Sequence, residues 1–177
     1  MKLLENEHIL LRALEPEDLE VIFKTENDTR IWEVSDTLAP FSKKLLADYI
    51  DNAHQDIFEA KQLRLVICET EGRPIGLIDL YDYSPRHQRA GVGIVISEAE
   101  NRDRGYGREA LTLLCDYAFR ILQIHQLYAS VAADNGRSRH LFEKLGFTLC
   151  GIKKDWVRTA SGFQDVLFLQ KIREDVS

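Results

Sequence analysis

A single α/β domain of the α+β kind, built on one mixed but mostly antiparallel sheet flanked by helices, is the fold class this sequence predicts, and three observations carry it. Apolar, β-branched runs recur at residues 63–68, 75–81 and 92–96 with turn residues between them, the pattern of an antiparallel meander. A helical stripe follows at Ala110, Leu113, Leu114, Tyr117, Ala118 and Ile121, after a turn punctuated by Gly105 and Gly107. The remaining chain alternates the same two periods without a repeat, linker or low-complexity stretch, and 177 residues suit one domain over 1–177 with a sizeable core.

Composition bounds the function classes. At 45% hydrophobic and 29% charged, the chain has the make-up of an ordinary soluble globular protein. A net charge of −6 argues against nonspecific nucleic-acid binding and suits a cationic substrate. Residues 1–14 hold a short apolar patch, but Glu5, Glu7, His8 and Arg12 interrupt it. Neither a signal peptide nor a membrane span is therefore expected, and the expected compartment is the cytoplasm. Cys68, Cys115 and Cys150 are odd in number, far apart and set in apolar patterns, which predicts reduced core thiols rather than disulfides or a metal site.

In chain order, residues 8–14 read as a first strand. Glu15-Pro16-Glu17-Asp18 then opens a helix to about Glu26, with proline and acids where a helix start favours them, and with Leu19, Ile22 and Phe23 as its apolar face. Asn27-Asp28 ends it before a short segment carrying Ile31 and Trp32, the latter expected in the core. Residues 33–41 contain Pro40 and few periodic apolar positions, so a loop is predicted. Ser42 reads as the N-cap of a helix striped by Leu45, Leu46, Tyr49, Ile50 and Ala53, with His54 on the surface near its end. Strands 63–68 and 75–81 make a hairpin about Glu71-Gly72-Arg73-Pro74, and Ser84-Pro85-Arg86-His87 turns into strand 92–96. Beyond the central helix, residues 127–132 alternate as a strand. Asn135 caps a helix running through Ser138, Leu141 and Phe142 to Leu145, ended by Gly146. Residues 147–157 and 163–172 read as two last strands joined at Ser161-Gly162.

The stretch from 101 to 114, Asn-Arg-Asp-Arg-Gly-Tyr-Gly-Arg-Glu-Ala-Leu-Thr-Leu-Leu, leads from a buried strand straight into the central helix. The first N–H groups of a helix lack internal partners and sit at the positive end of its dipole, so they suit an anion. Gly105 and Gly107 remove the β-carbons that would hold a ligand off the backbone, and Arg102, Arg104 and Arg108 add positive charge. The spacing Arg102-x-x-Gly105-x-Gly107 is neither the P-loop nor the dinucleotide fingerprint. By itself it reads equally as a glycine turn with a solvated basic face.

About thirty residues further on stands Asn135-x-x-Ser138-x-x-Leu141-Phe142-Glu143-Lys144-Leu145-Gly146-Phe147. The two stretches together, in this order, resemble the acetyl-CoA-binding core of the GNAT superfamily of N-acetyltransferases, here at about 89–147, with the likeness clearest over 89–165. The pattern is similar to bacterial spermidine N-acetyltransferases in Asp116-Tyr117-Ala118-Phe119, in 122–125 and in Gly162-Phe163-Gln164-Asp165-Val166. Ribosomal-protein alanine N-acetyltransferases are a second resemblance.

The resemblance implies a GNAT-like sheet splayed between strands 92–96 and 127–132, with acetyl-CoA as cosubstrate and an amine entering from the other face. Cofactor contacts are implied at Ile94, Val95, Ile96, Arg102, Arg104, Gly105, Tyr106, Gly107, Arg108, Asn135, Ser138 and Phe142. The pyrophosphate would lie on the backbone N–H groups of 104–108, and the pantetheine beside Ile94-Val95-Ile96 like an added strand. A primary amine, with a pKa of about 10.4, must lose a proton before attack, and the departing thiolate benefits from a donor. Water-relayed carboxylates for the first task are Asp79, Asp82, Glu98 and Glu100, with Glu100 the expected catalytic one; each reads also as a solvated turn acid. Members commonly carry tyrosine at the position of Phe142, which has no proton to give. Ser138, one helical turn earlier on the same face, is the expected replacement, its other reading being a helix-start contact.

Acceptor binding is implied at Glu33, Asp79 and Asp82, with Asp36 nearby, although Val34 and Ser35 leave the early loop thin in acids. The expected function is acetyl transfer to a primary amine, a polyamine or related small amine. The alternatives are the same chemistry on a protein N-terminus, and a noncatalytic acyl-CoA sensor. No nucleic-acid, membrane or metal partner is expected, and a homo-oligomer is left open.

Overall fold

The computed structural model describes residues 3–35, 37–97 and 104–174, with residues 33 and 34 described by their backbone alone. Its seven strands are β1 (Ile9–Arg12), β2 (Leu63–Glu69), β3 (Pro74–Ser84), β4 (Arg89–Ile96), β5 (Gln126–Ala132), β6 (Thr148–Thr159) and β7 (Gly162–Ile172). They form one sheet in the order β1-β2-β3-β4-β5-β7-β6. Every neighbouring pair is antiparallel except β4 and β5. The predicted mixed, mostly antiparallel sheet is therefore present, and the last two strands insert β7 beside β5.

The parallel pair is the feature on which the site depends. β4 and β5 pair only through Arg89↔Gln126, Ala90↔Leu127 and Gly91↔Tyr128. β4 continues to Ile96 on β3, while β5 continues to Ala132 on β7. Beyond Gly91 the two strands no longer share a ladder, so the sheet opens into a wedge toward their C-terminal ends.

Both faces of the sheet are covered, as the period-two alternation of its central strands requires. One face, including Leu65, Ile67, Ile78, Leu80, Leu127 and Ala129, packs with Ala110, Leu111 and Leu114 of α5 (Tyr106–Arg120) and Phe142 of α6 (Gly136–Lys144). The opposite face, including Val66, Cys68 and Leu77, packs with Ile22 of α1 (Leu19–Glu26) and with Leu46 and Ile50 of α3 (Lys43–Asp51). Burial of these side chains is the main favourable term, at about 1.5–3 kcal/mol for each large aliphatic.

Local chemistry sets the helix ends. The Ser42 hydroxyl accepts from Leu45 N–H at 3.1 Å and starts α3, and Asn135 Oδ1 accepts from Ser138 N–H at 3.0 Å and starts α6. Before α1 the chain makes a 3-10 turn over Pro16–Asp18.

Four expectations need correction. The segment after α1 forms a helix, α2 (Thr29–Ser35), so the loop predicted from residue 33 starts later; the Trp32 indole N–H donates to the Glu26 carbonyl at 2.8 Å and leaves Trp32 half-buried. A one-turn helix, α4 (Ile57–Ala60), stands where no periodicity signals one, because Asp56 caps both the Phe58 and Glu59 N–H groups. Ile121 is exposed, since α5 ends at Arg120 before its stripe would turn inward again. Cys68 and Cys115 are buried free thiols as expected, but Cys150 is exposed on the edge strand β6.

Candidate active site

Two helix starts converge on the mouth of the wedge, because α5 follows β4 and α6 follows β5. Gly105, at φ +86°, occupies the left-handed region as the residue before α5. A β-carbon there would meet nothing within 4 Å among the described residues. Gly107, the second residue of α5, faces Leu141 and Ile94: a β-carbon would stand 3.5 Å from Leu141 Cδ2 and 3.9 Å from Ile94 Cδ1. The start of α5, α6 and the free end of β4 thus meet at one place.

Positive charge gathers beside this turn. Arg104 and Arg108 are exposed, and the Arg104 guanidinium lies 5.2 Å over the Tyr106 ring. At the end of β2, the Glu69 carboxylate accepts from Arg73 Nε at 2.8 Å and from the Tyr106 hydroxyl at 2.9 Å, with Arg104 3.8 Å away. The hydrogen bonds from Arg73 and Tyr106 hold its pKa at about 2. Tyr106 is pushed above the usual phenol range, chiefly by its bond to Glu69.

The sheet face toward α1 and α3 has a different character. Tyr81 lies across β4, where a β-carbon on Gly91 would fall 2.3 Å from its ring. Tyr81 meets Tyr128 edge-on at 5.9 Å, and Tyr128 meets Phe168 at 5.4 Å, so aromatic rings line the closed end of the wedge. Burial, with Tyr128 and Asp82 nearby, raises the Tyr81 phenol to about 12. Asp82 has φ +48° at the bulge where the β3–β4 register shifts, and it is exposed. Asp79 stands opposite Gly93, with Oδ2 3.9 Å from the place a Gly93 β-carbon would take. Arg64 holds that carboxylate, Nε to Oδ1 at 2.6 Å and Nη2 to Oδ2 at 3.1 Å, while its Nη1 donates to Glu26 of α1. Burial opposes the Arg64 charge, yet Asp79 and Glu26 together raise the guanidinium above its ordinary value.

The expected site residues divide accordingly. Ile94, Val95 and Ile96 lie in β4 beyond its register with β5, and Arg104, Gly105, Tyr106, Gly107 and Arg108 form the turn and first residues of α5. Asn135 and Ser138 stand at the start of α6, and Ser138 is half-buried with no hydroxyl partner among the described residues. Phe142 turns into the core, 3% exposed, so it presents no free ring to a ligand. Asp79 faces the wedge but is already paired, and Asp82 lies at its closed end. Glu33 belongs to α2, and its side chain is not described. Arg102, Glu98 and Glu100 lie outside the described residues. Sequence reasoning missed Glu26, Arg64, Glu69, Tyr81 and Tyr128. Two signals pointed there: Arg64 interrupts an apolar run, and Gly91-x-Gly93 in a strand marks a close approach.

A sheet opened between two parallel strands, with a glycine turn and a helix start at its mouth, is the arrangement expected of an acyl-CoA-dependent N-acyltransferase. A sequence model of the acetyltransferase (GNAT) domain matches residues 8–148, and the chain belongs to that family. Its cosubstrate is acetyl-CoA, and the open, basic turn at Gly105 fits the pyrophosphate such a ligand carries. The chain is 30% identical over 145 residues to the spermidine N(1)-acetyltransferase of Vibrio cholerae, covering 80% of each protein. To the spermidine N(1)-acetyltransferase of Escherichia coli K12 it is 32% identical over 146 residues, 81% of this chain and 74% of that one. A solved structure of the Vibrio cholerae enzyme with CoA and spermine superposes with a TM-score of 0.84 at 28% identity, covering 94% of this chain and 96% of that one. The Vibrio cholerae enzyme has also been solved as a dodecamer, which superposes at 0.77 and 28% identity over 94% of this chain and 95% of that one. Among the described residues no helix is long and apolar enough to cross a membrane.

Proposed function

We propose that the protein transfers the acetyl group of acetyl-CoA to a primary amine of a small polyamine or related small amine. The observation that carries this reading is the Asp79 carboxylate, set over Gly93 where β4 leaves β5, on the face opposite α5 and α6. A cofactor lying over the start of α5 leaves that opposite face for the acceptor, and there an ammonium meets negative charge from Asp79, Glu26 and Asp82. Identity near 30% to two spermidine N(1)-acetyltransferases supports the same substrate class. Three free thiols suit a reducing cytosol.

When bound, acetyl-CoA supplies the acyl group and a thiolate leaving group. The chain's own part begins at the amine, whose proton would pass through water toward Asp82 or the expected base Glu100, while Asp79, held by Arg64, stays ionised as the charge partner. Ile94–Ile96 of β4 would hold the pantetheine by strand-like pairing. The Ser138 hydroxyl, in the first turn of α6, would donate a hydrogen bond to the sulfur as the thiolate leaves. Phe142, inside the core, takes no part in proton transfer.

The test is mass spectrometry after incubation with acetyl-CoA and a panel of polyamines, amino acids and N-terminal peptides. An increment of one acetyl group on a polyamine is the expected result. Acetylation confined to peptides would assign the protein to N-terminal acetylation. No product from any amine, despite tight acetyl-CoA binding, would make it a sensor.

A further inference from the structure

Arg64 is an arginine within a strand whose neighbours from Leu65 to Cys68 are buried, and its side chain is only 23% exposed. It sits opposite Asp79 in the β2–β3 ladder, and Asp79 sits opposite Gly93 in the β3–β4 ladder. Arg64, Asp79 and Gly93 therefore form a row running across three strands to the opened edge of the sheet. Arg64 and Glu26 also line a cavity of about 310 Å³ together with Tyr49, Phe41 and Leu46. The Tyr49 ring of α3 stands 5.8 Å from the guanidinium.

We infer that Arg64 is the positioning residue of the acceptor site, holding the Asp79 carboxylate in one orientation over Gly93 so that an incoming ammonium meets it in register with the wedge. The inference rests on the proposed amine acceptor. Two N–H groups of Arg64 engage both oxygens of Asp79, a forked contact that fixes the plane of the carboxylate as a single point charge does not. A third N–H is taken by Glu26, which stops the guanidinium from swinging away. The charge count completes the case: Asp79 and Glu26 carry two negative charges against one positive, and one ammonium restores neutrality. Arg64 thus prepares the site for a single ammonium at this point.

The alternative role for such a triad is to pin α1 to the sheet, and the two roles separate experimentally. Arg64→Lys keeps the charge but loses the fork, and Glu26→Gln keeps the fork but loosens its anchor. Spermidine is titrated calorimetrically into wild type and both variants saturated with CoA, with CoA affinity and melting temperature measured on the same samples. Arg64→Lys is expected to weaken spermidine binding by about tenfold or more, because small misplacements of an orienting group cost that much. CoA affinity stays unchanged, Glu26→Gln falls between, and in steady-state kinetics KM for the amine rises while KM for acetyl-CoA does not. Folded Arg64→Lys protein that binds spermidine as wild type does, even with a lowered melting temperature, would overturn the positioning role and leave a structural pin. Wild type that binds no spermidine overturns the acceptor reading itself, and this inference with it.

Discussion

Phe142 packs edge-on against Phe147, their ring centroids 5.0 Å apart and their planes at 74°, and both rings are almost fully buried beneath α6. The position where the resemblance implies a proton-donating tyrosine is here part of the core that holds α6 against the sheet. Phe142→Ala should therefore destabilise the fold by about 3–5 kcal/mol, the usual cost of emptying a buried phenylalanine site. Phe142→Tyr should leave turnover little changed if donation rests elsewhere. Chemical denaturation of both variants beside steady-state kinetics checks the pair, and a large rise in turnover for the tyrosine variant would contradict it.

Gly105 gives a direct test of the cradle at α5. Its positive φ and the open space above it leave room for a ligand, and a carboxylate introduced there would occupy that room with the wrong charge. Acetyl-CoA at a hundred times its dissociation constant should stabilise wild type by about 2.7 kcal/mol. Gly105→Asp should lose the ligand-induced shift in melting temperature, while Arg120→Ala, at the far end of the same helix, should keep it.

Glu69 offers the opposite change. Held at a pKa of about 2 by Arg73 and Tyr106, it carries a full negative charge at any working pH, beside Arg104. Removing that charge leaves Arg104 less neutralised for a phosphate ligand. Glu69→Gln should tighten acetyl-CoA binding, with a steeper loss of affinity as salt is raised. Calorimetric titration at two ionic strengths measures both; weaker binding would mean that Glu69 chiefly orients Tyr106 and Arg104.

The parts of this fold legible in the sequence are those set by local chemistry. Ser42 and Asn135 cap the helices their positions announce, and the strands β2, β3 and β4 follow from period-two runs. What was not legible depends on partners distant in sequence. That β5 pairs with β4 for three residues only, with Tyr81 and Tyr128 in contact where the pairing ends, depends on residues some 47 apart in the chain, and no local pattern reports it. The Arg64 partner of Asp79 is not legible in the sequence, because it lies 15 residues away across a hairpin. α4 escaped because four residues carry no period, only the Asp56 cap.

Asp18 ties acid stability to one pair. It is buried, and burial opposes its ionisation, but two hydrogen bonds from Arg12 at 2.7 and 2.8 Å and one from the Glu15 N–H together lower its pKa below the ordinary value. A carboxylate with a depressed folded-state pKa contributes stability that is fully present above its unfolded pKa, about 3.9, and is lost as pH falls through the folded value. Asp18→Asn should therefore lower stability by about 1–3 kcal/mol near neutrality. It should also flatten the fall in stability below about pH 4 relative to wild type. Urea denaturation midpoints from pH 7 to pH 3 give both, and parallel curves for the two proteins would remove Asp18 from the account.

Ser138 is the last and most consequential residue to change. It occupies the third position of α6, where its own N–H is capped by Asn135 and its hydroxyl has no partner among the described residues. Ser138→Ala leaves that cap in place and substitutes a better helix former, so the fold should not weaken. If the hydroxyl assists the departing thiolate, turnover should fall while the dissociation constant of acetyl-CoA stays within about twofold. General acid assistance is typically worth about 10²–10⁴, and a thiolate is a good enough leaving group to place the loss at or below the low end. An interaction made only in the transition state lowers kcat and kcat/KM together and leaves ground-state binding alone. Turnover and calorimetric affinity measured on one preparation distinguish the roles: equal losses in both would make Ser138 a cofactor-binding residue, and no loss in either would leave it a surface serine at the start of a capped helix.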